Sequence, residues 1–517
     1  MNRILLGALC LLAASPALAQ SEPPIQLAVS QTANQPTAKP APPQRFVTKH
    51  RTTIRGRKID YTATAGEIYL TTLSGEPTAS IFSFAYVKDG PRDLNRPVMF
   101  VFNGGPGSSS LWLHMGVVGP RRVVLDREVN PSNVPPFGVA DNPDSLLDVA
   151  DLVFIDPVGT GFSRAVGSGK AEDFWGVDQD ADSVAQFIEL WLTENGRWTS
   201  PKFIMGESYG SVRAALMPRA LMGGPTYLGM MRGITVNGIV LLGTTLESRD
   251  GPPKPEAAFT SAANDLTAQA ATAWAHGRTA HQGKTLADFQ AEVDRFAAGE
   301  YEDALRRNAA SPLPPAERQA LVAKLSGYTG LPADAYAQDL KVPTGLFARR
   351  LLADKGLSVG LYDGRYTLPT KGSGNEPVAD DPAMGRYVPG FVAAFHQMLH
   401  DDLKVGMERP YGAIVWRDLL SKWKWSRAQV PQGQSFAVDI ATAMRRNERL
   451  QVLVASGSYD LVTTPAAARR SLQAADLPTD RVTFRDYPSG HMLYLGDTAA
   501  AFSDDVRALI QRTSGAN

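Results

Sequence analysis

Residues 202 to 222 constrain the fold more than any other stretch. The apolar run Lys202-Phe203-Ile204-Met205 leads into Gly206-Glu207-Ser208-Tyr209-Gly210, and a helix-like segment rich in Ala, Leu and Met follows. A serine with glycines two positions before and after it, between a strand and a helix, reads as a nucleophile elbow. The turn is so tight that side chains at the two glycine positions would clash, and it leaves the serine exposed at the strand's carboxyl end. With 46 glycines in 517 residues, such a pattern also arises as an ordinary glycine turn. The rest of the chain must therefore supply a base, an acid and an oxyanion hole.

Short continuous apolar runs recur at Pro97 to Phe102, Leu152 to Ile155, Ile239 to Leu242, Val452 to Ala455 and Val482 to Phe484. Helical patterns lie between several of them: Asp178 to Leu192, Val212 to Met222, Ser435 to Arg446, Pro465 to Ala474 and Thr498 to Gln511. Apolar strands alternating with helices predict an α/β fold with a central, mostly parallel sheet flanked by helices. Before them, Glu67 to Leu73 and Ser80 to Val87 alternate as an early antiparallel pair should. Residues 251–430 break the alternation with mainly helical patterns and read as an inserted helical cap, the kind of element that shapes a substrate pocket. Residues 45–250 and 431–517 then form the two parts of one core.

The N-terminus reads as an export signal. Arg3 precedes the apolar run Ile4 to Ala13, and Ala17-Leu18-Ala19 precedes Gln20. This is a basic region, a short apolar region and a cleavage site, with residues 1–19 as signal peptide. The apolar run is too short to span a bilayer comfortably. Residues 20–44, rich in Pro, Gln, Ala and Thr, read as a disordered linker. The style of the signal suggests a bacterial periplasmic or secreted protein with no membrane attachment after cleavage. The formal net charge is zero, which gives no electrostatic grip on nucleic acid. The single cysteine, Cys10, lies in the signal, so the mature chain has no disulfide, no thiol nucleophile and no Cys-based metal site.

Of the seven histidines, only His491, in Ser489-Gly490-His491-Met492, follows the last predicted strand, where a base for Ser208 belongs. Asp460 follows the strand Val452 to Ala455 and supplies the acid that fixes the imidazole, giving the chain order Ser, Asp, His. Asp486 is the competitor, five residues before His491. The oxyanion hole combines the amide of Tyr209 with one from Asn103-Gly104-Gly105-Pro106-Gly107, Gly105 being the expected donor; each donor is worth about 3 kcal/mol of barrier.

That loop, the Gly206-to-Gly210 elbow, Asp460 and Gly490-His491-Met492 together resemble the serine carboxypeptidases, the carboxypeptidase Y type of α/β-hydrolase. Asn142-Pro143 and the run from Leu152 to Ser163 resemble a further block of that family. The resemblance implies an α/β-hydrolase fold with Ser208 as nucleophile, His491 as base, Asp460 as its partner, and Gly105 and Tyr209 as oxyanion donors. It also implies that Asn103, Gly104 and Glu207 bind the terminal carboxylate of a peptide substrate. Glu207 donates a hydrogen bond only when protonated, and two carboxyl groups in contact share a proton, so binding should favour acid pH. The chain departs from the family at Ser108-Ser109-Ser110 (Cys-Ser-Ser in the family), at Gly210-Ser211, in lacking disulfides, and at Val117, where the family has a second acid.

The resulting expectation is a serine carboxypeptidase acting on peptides with a free C-terminus through an acyl-enzyme, without cofactor or metal. A general esterase or acyltransferase of the same fold, and an inactive peptide-binding scaffold, are the alternatives. His396 and His400 share a helix face but lack an intervening glutamate. Trp423 and Trp425, flanked by Lys422 and Lys424, read as partly buried aromatics of a cap helix rather than a carbohydrate or nucleic-acid platform.

Overall fold

The computed structural model describes residues 40–225, 228–252, 255–281 and 283–514. The expected signal peptide and residues 20–39 of the expected linker lie outside the described residues. The chain divides into two units, Met1–Lys39 and Pro40–Asn517, and all of the described residues belong to the second.

Among the described residues, nine strands run through the main sheet: β1 (Arg45–Ile54), β2 (Arg57–Thr71), β3 (Pro77–Lys88), β4 (Val98–Phe102), β5 (Asp151–Ile155), β6 (Lys202–Glu207), β7 (Gly238–Leu242), β8 (Gln451–Gly457) and β9 (Val482–Tyr487). Their order is β1-β2-β3-β5-β4-β6-β7-β8-β9, with the two-residue strand Arg164–Ala165 added beside β3. Pairing is antiparallel from β1 to β5 and parallel from β5 onward. β1 carries few apolar residues and is largely exposed, so an alternation search passes over it. Ahead of β1, the Ala41 carbonyl accepts from Tyr69 Oη at 2.6 Å, and the Gln44 amide donates to Glu67 at 3.0 Å. The stretch read as linker is thus tied to the sheet at its last residues.

The parallel strands are apolar on both faces because both faces are covered. Alternate residues divide cleanly between two cores. Met99, Val101, Phe203, Met205, Val240 and Leu242 enter one; Phe100, Phe102, Ile204, Ile239, Leu241 and Val454 enter the other. Helices α1 (Val177–Glu194) and α2 (Tyr209–Met222) cover the second face. The first face takes Phe502, Val506 and Leu509 of the C-terminal helix Thr498–Ser514. The described residues from Pro255 to Arg350 form five α-helices with a third core of their own around Phe289, Leu325 and Phe347. The later helix Met384–Asp401 instead buries Tyr387, Phe391 and Phe395 in the first core.

Trp423 and Trp425 are not on a helix. The helix Arg417–Lys422 ends just before them, and the segment runs on extended, with Lys424 paired to Gly176. Both rings meet Tyr209 edge-on, at 5.3 and 5.8 Å between centroids. The aromatic pair is packing for the second core, which explains its composition without a ligand.

One buried ion pair ties the second face together. Arg213 of α2 is 1% exposed; its Nε donates to Asp180 of α1 at 2.7 Å, and its Nη1 donates to the Asn103 carbonyl after β4 at 2.8 Å. Removing one partner strands a buried charge. R213M should destabilise the fold by about 3–5 kcal/mol, read as a shift in urea denaturation, while R213M/D180L should recover most of that loss.

Candidate active site

The strand register sets four loop ends side by side. Phe102 pairs with Gly206, Glu207 with Leu242, and Leu242 with Ala455, so the residues after β4, β6, β7 and β8 emerge at one edge. Ser208 follows β6 and opens α2 with φ 60° and ψ −129°, a region non-glycine residues avoid. Its amide donates to the Leu242 carbonyl at 2.9 Å, and its carbonyl accepts from the Ser211 amide at 2.9 Å and the Ser211 hydroxyl at 2.6 Å. A Cβ on Gly206 would lie 2.0 Å from the Gly210 carbonyl oxygen, and one on Gly210 would lie 2.8 Å from that of Asn103. The strained turn is therefore held by close backbone approach that only glycine permits.

His491 follows β9. Its Nδ1 lies 2.7 Å from Asp460 Oδ2. A carboxylate accepts, so Nδ1 carries the hydrogen and Nε2 is left basic. Asp460 is fully buried, and its Oδ1 accepts the amides of Val462 and Thr463 at 2.8 and 2.9 Å. Thr463 Oγ1 donates to Oδ2 at 2.5 Å and lies 3.0 Å from His491 Nδ1. Burial disfavours the imidazolium, but the Asp460 carboxylate, together with Glu207 and Asp381, favours it, and the net effect raises the His491 pKa above its ordinary value. Asp486 pairs with Arg469 instead. His114 is buried against Phe154, and burial holds it at about 3, so it stays neutral.

Ser208 and His491 line one cavity with Asn103, Gly104, Gly105 and Glu207. A Cβ on Gly104 would reach 2.5 Å from the Tyr209 nitrogen, so this loop seats directly on the elbow. Gly105, at φ 105°, is beside the cavity. Tyr209 opens α2, where first-turn amides lack intrahelical partners, and its ring points away, its hydroxyl donating to Asp180 at 3.2 Å. Asn103 is pinned at both ends of its amide: Oδ1 accepts the Leu113 amide at 3.1 Å and Nδ2 donates to Glu207 Oε2 at 2.5 Å. Glu207 is 3% exposed. Burial pushes its pKa up to about 7, against the opposing pull of His491, Tyr494 and Asn103. Val117 carries no carboxyl to this site and is buried in the first core.

The remaining wall comes from the 251–430 stretch: Tyr362, Met384, Ile414 and Trp416, joined by Trp112 and Met492. The Tyr362 carbonyl accepts the His491 amide at 2.6 Å, and its ring meets the imidazole edge-on. The 411–416 segment lies on the loop after β4, with the Val415 amide donating to the Gly107 carbonyl at 2.7 Å. Sequence reasoning misses Thr463 and Tyr494 as well as this wall. Thr463, three residues past Asp460 in a turn-forming stretch, carries a local signal; the wall residues carry none. Among the described residues, no group of three or more His, Cys, Asp or Glu could hold a metal ion, and no helix is long and apolar enough to cross a membrane.

A sheet of this order, with a serine on a glycine-flanked strand-to-helix turn, is the α/β-hydrolase fold. The structure is similar to that of Kex1Δp, a prohormone-processing carboxypeptidase from Saccharomyces cerevisiae, with a TM-score of 0.55 and 14% identity over 88% of this chain and 91% of that one. Residues 64–222 match the family model for serine carboxypeptidases. Over 152 residues, 29% of this chain, it is 30% identical to the pheromone-processing carboxypeptidase KEX1 of Leptosphaeria maculans. It is 29% identical, also over 152 residues, to serine carboxypeptidase-like 8 of Arabidopsis thaliana. These matches span 22% and 34% of the two relatives' lengths.

The arrangement suits acyl transfer: a serine and a histidine with a basic Nε2 line one cavity, with the loop after β4 and the start of α2 beside them. D460N should lower turnover of an activated ester by about 10⁴-fold, the scale for a triad aspartate, and D486N should leave it unchanged. Steady-state kinetics on the two variants separates the acids.

Proposed function

We propose that the chain is a serine carboxypeptidase. Ser208, deprotonated by His491, attacks the carbonyl of the last peptide bond. The resulting oxyanion is held by the amides of Gly105 and Tyr209. His491, steadied by Asp460, returns the proton to the departing amino acid, and water then releases the acyl group by the same route. Asn103, Gly104 and Glu207 hold the substrate's terminal carboxylate. The observation that carries this reading is Glu207, a buried carboxyl bonded to Asn103 in the cavity that Ser208 and His491 line. An esterase has no use for such a group, whereas a site for a free C-terminus needs a neutral donor there. The partial family match and the names of the relatives support the same reading.

The apolar wall of Trp112, Met384, Ile414, Trp416 and Met492 favours substrates with apolar side chains at the scissile bond. Residues 251–430 act as the cap that supplies much of that wall. The first nineteen residues support export, to a periplasm or beyond, in a bacterial cell. A second reading, an esterase or acyltransferase with the same triad, is favoured by Val117, which leaves the carboxylate site with one acid.

The pH dependence follows from the two shifts. Glu207, with its pKa near 7, donates to a carboxylate below that pH and repels it above. His491, raised above 6.5, must be neutral to act as base and is lost as pH falls. A blocked dipeptide should therefore show a bell-shaped kcat/KM with an alkaline limb near pH 7, and its C-terminal amide should lack that limb. E207Q should remove the limb for the free acid, because an amide donates at any pH. S208A should abolish hydrolysis and fluorophosphonate labelling. Labelling retained at another serine, or equal rates on acid and amide, would sink the carboxypeptidase reading.

A further inference from the structure

Glu207 has a partner that lies far along the chain. Tyr494 is 1% exposed, and its hydroxyl donates to Glu207 Oε2 at 2.9 Å. Asn103 Nδ2 donates to the same oxygen at 2.5 Å. The Tyr494 ring fits only because position 116 is glycine: a Cβ there would lie 2.3 Å from the ring. The next residue, Val117, is turned into the apolar core. The chain thus places a phenol, rather than a second carboxyl, against Glu207.

We propose that Tyr494 is a positioning residue for recognition of the substrate's terminal carboxylate. Together with Asn103 it saturates Glu207 Oε2, so that the acid's proton resides on Oε1 and is donated from there. The inference rests on the carboxypeptidase reading above. A carboxylic acid carries one proton and prefers to keep it on the oxygen that is not already accepting hydrogen bonds. A carboxyl partner could take that proton or share it. A tyrosine does neither: burial raises the Tyr494 pKa well above its ordinary value, so its hydroxyl stays a donor. The groups facing Glu207 are His491 and Asp460 from the loops after β9 and β8, Tyr387 from the helix Met384–Asp401, Asn103 after β4, and Tyr494 itself. His491 and Asp460 act on it with opposite sign, while Tyr494 and Asn103 fix its geometry.

Y494F keeps the ring against Gly116 and removes the hydroxyl. Kinetics across pH on a blocked dipeptide and its C-terminal amide read the effect. For the free acid, KM should rise up to about ten-fold, the upper end for a lost hydrogen bond between neutral groups, with kcat unchanged. Its alkaline limb should move to higher pH, because a donor to the ionised carboxylate is gone. The amide's constants should not change. In an E207Q background the same substitution should move no limb. An unmoved limb, or KM rising equally for acid and amide, overturns the inference. A wild type that treats acid and amide alike overturns it together with the reading beneath it. Infrared difference spectra of the unaltered enzyme, assigned with E207Q, give a second measure. The protonated Glu207 carbonyl should stretch at the low frequency of a doubly hydrogen-bonded acid, and an unbonded frequency overturns the proposal.

Discussion

Arg213 is the point on which the site's geometry turns. Its guanidinium has no water to leave for, so it stays where Asp180 and the Asn103 carbonyl hold it. It belongs to the helix that Ser208 opens, and it grips the loop that follows β4. The serine turn and that loop therefore cannot drift apart without exposing or stranding a charge. The consequence reaches the side chains. With its carbonyl held by Arg213 and its Oδ1 held by the Leu113 amide, Asn103 has one direction left for its Nδ2, toward Glu207. Phe102 and Tyr209 lie under the guanidinium at 4.9 and 5.3 Å, so the same cation is packed as well as paired.

Glu207 and His491 cannot be understood separately. Each shifts the other: the imidazolium lowers the glutamate, and the glutamate raises the histidine. A single proton divided between them has two arrangements with the same net charge. In the proposed chemistry only the neutral histidine with the protonated acid is productive. Titration of the pair then yields macroscopic values that belong to neither residue alone. A substrate carboxylate brought against Glu207 favours the productive arrangement, because like charges in contact draw the proton to that acid.

The core of the fold is legible in the sequence because its code is local. Short apolar runs, separated by helical periodicity and ending in turns, announce buried parallel strands in any order. The elbow, Asp460 and His491 are legible for the same reason: each sits just past such a run. β1 is not legible, since an exposed edge strand with polar residues on both faces carries no alternation to read. Trp423 and Trp425 suggest a helix that stops short of them, because aromatic spacing alone does not mark where a helix ends. Tyr494, Met384 and Trp416 leave no trace, because they meet the site from distant segments, and periodicity records which face a residue occupies, never which partner it finds there.

The two segments that close the cavity, 361–366 and 411–416, are joined to the strand-edge loops in part by backbone groups: the Tyr362 carbonyl on His491, the Leu461 amide on Leu361 and the Val415 amide on Gly107. The rest of the join is made by side chains outside the apolar cavity wall, Arg365 on Ser489 and Tyr411 on Asp156. Backbone contacts tolerate changes of side chain. The face that such segments turn toward a substrate can drift over evolutionary time while their seams with the reacting groups stay intact. A chain built this way inherits its chemistry and its selectivity as separate traits, and one can be rewritten without relearning the other.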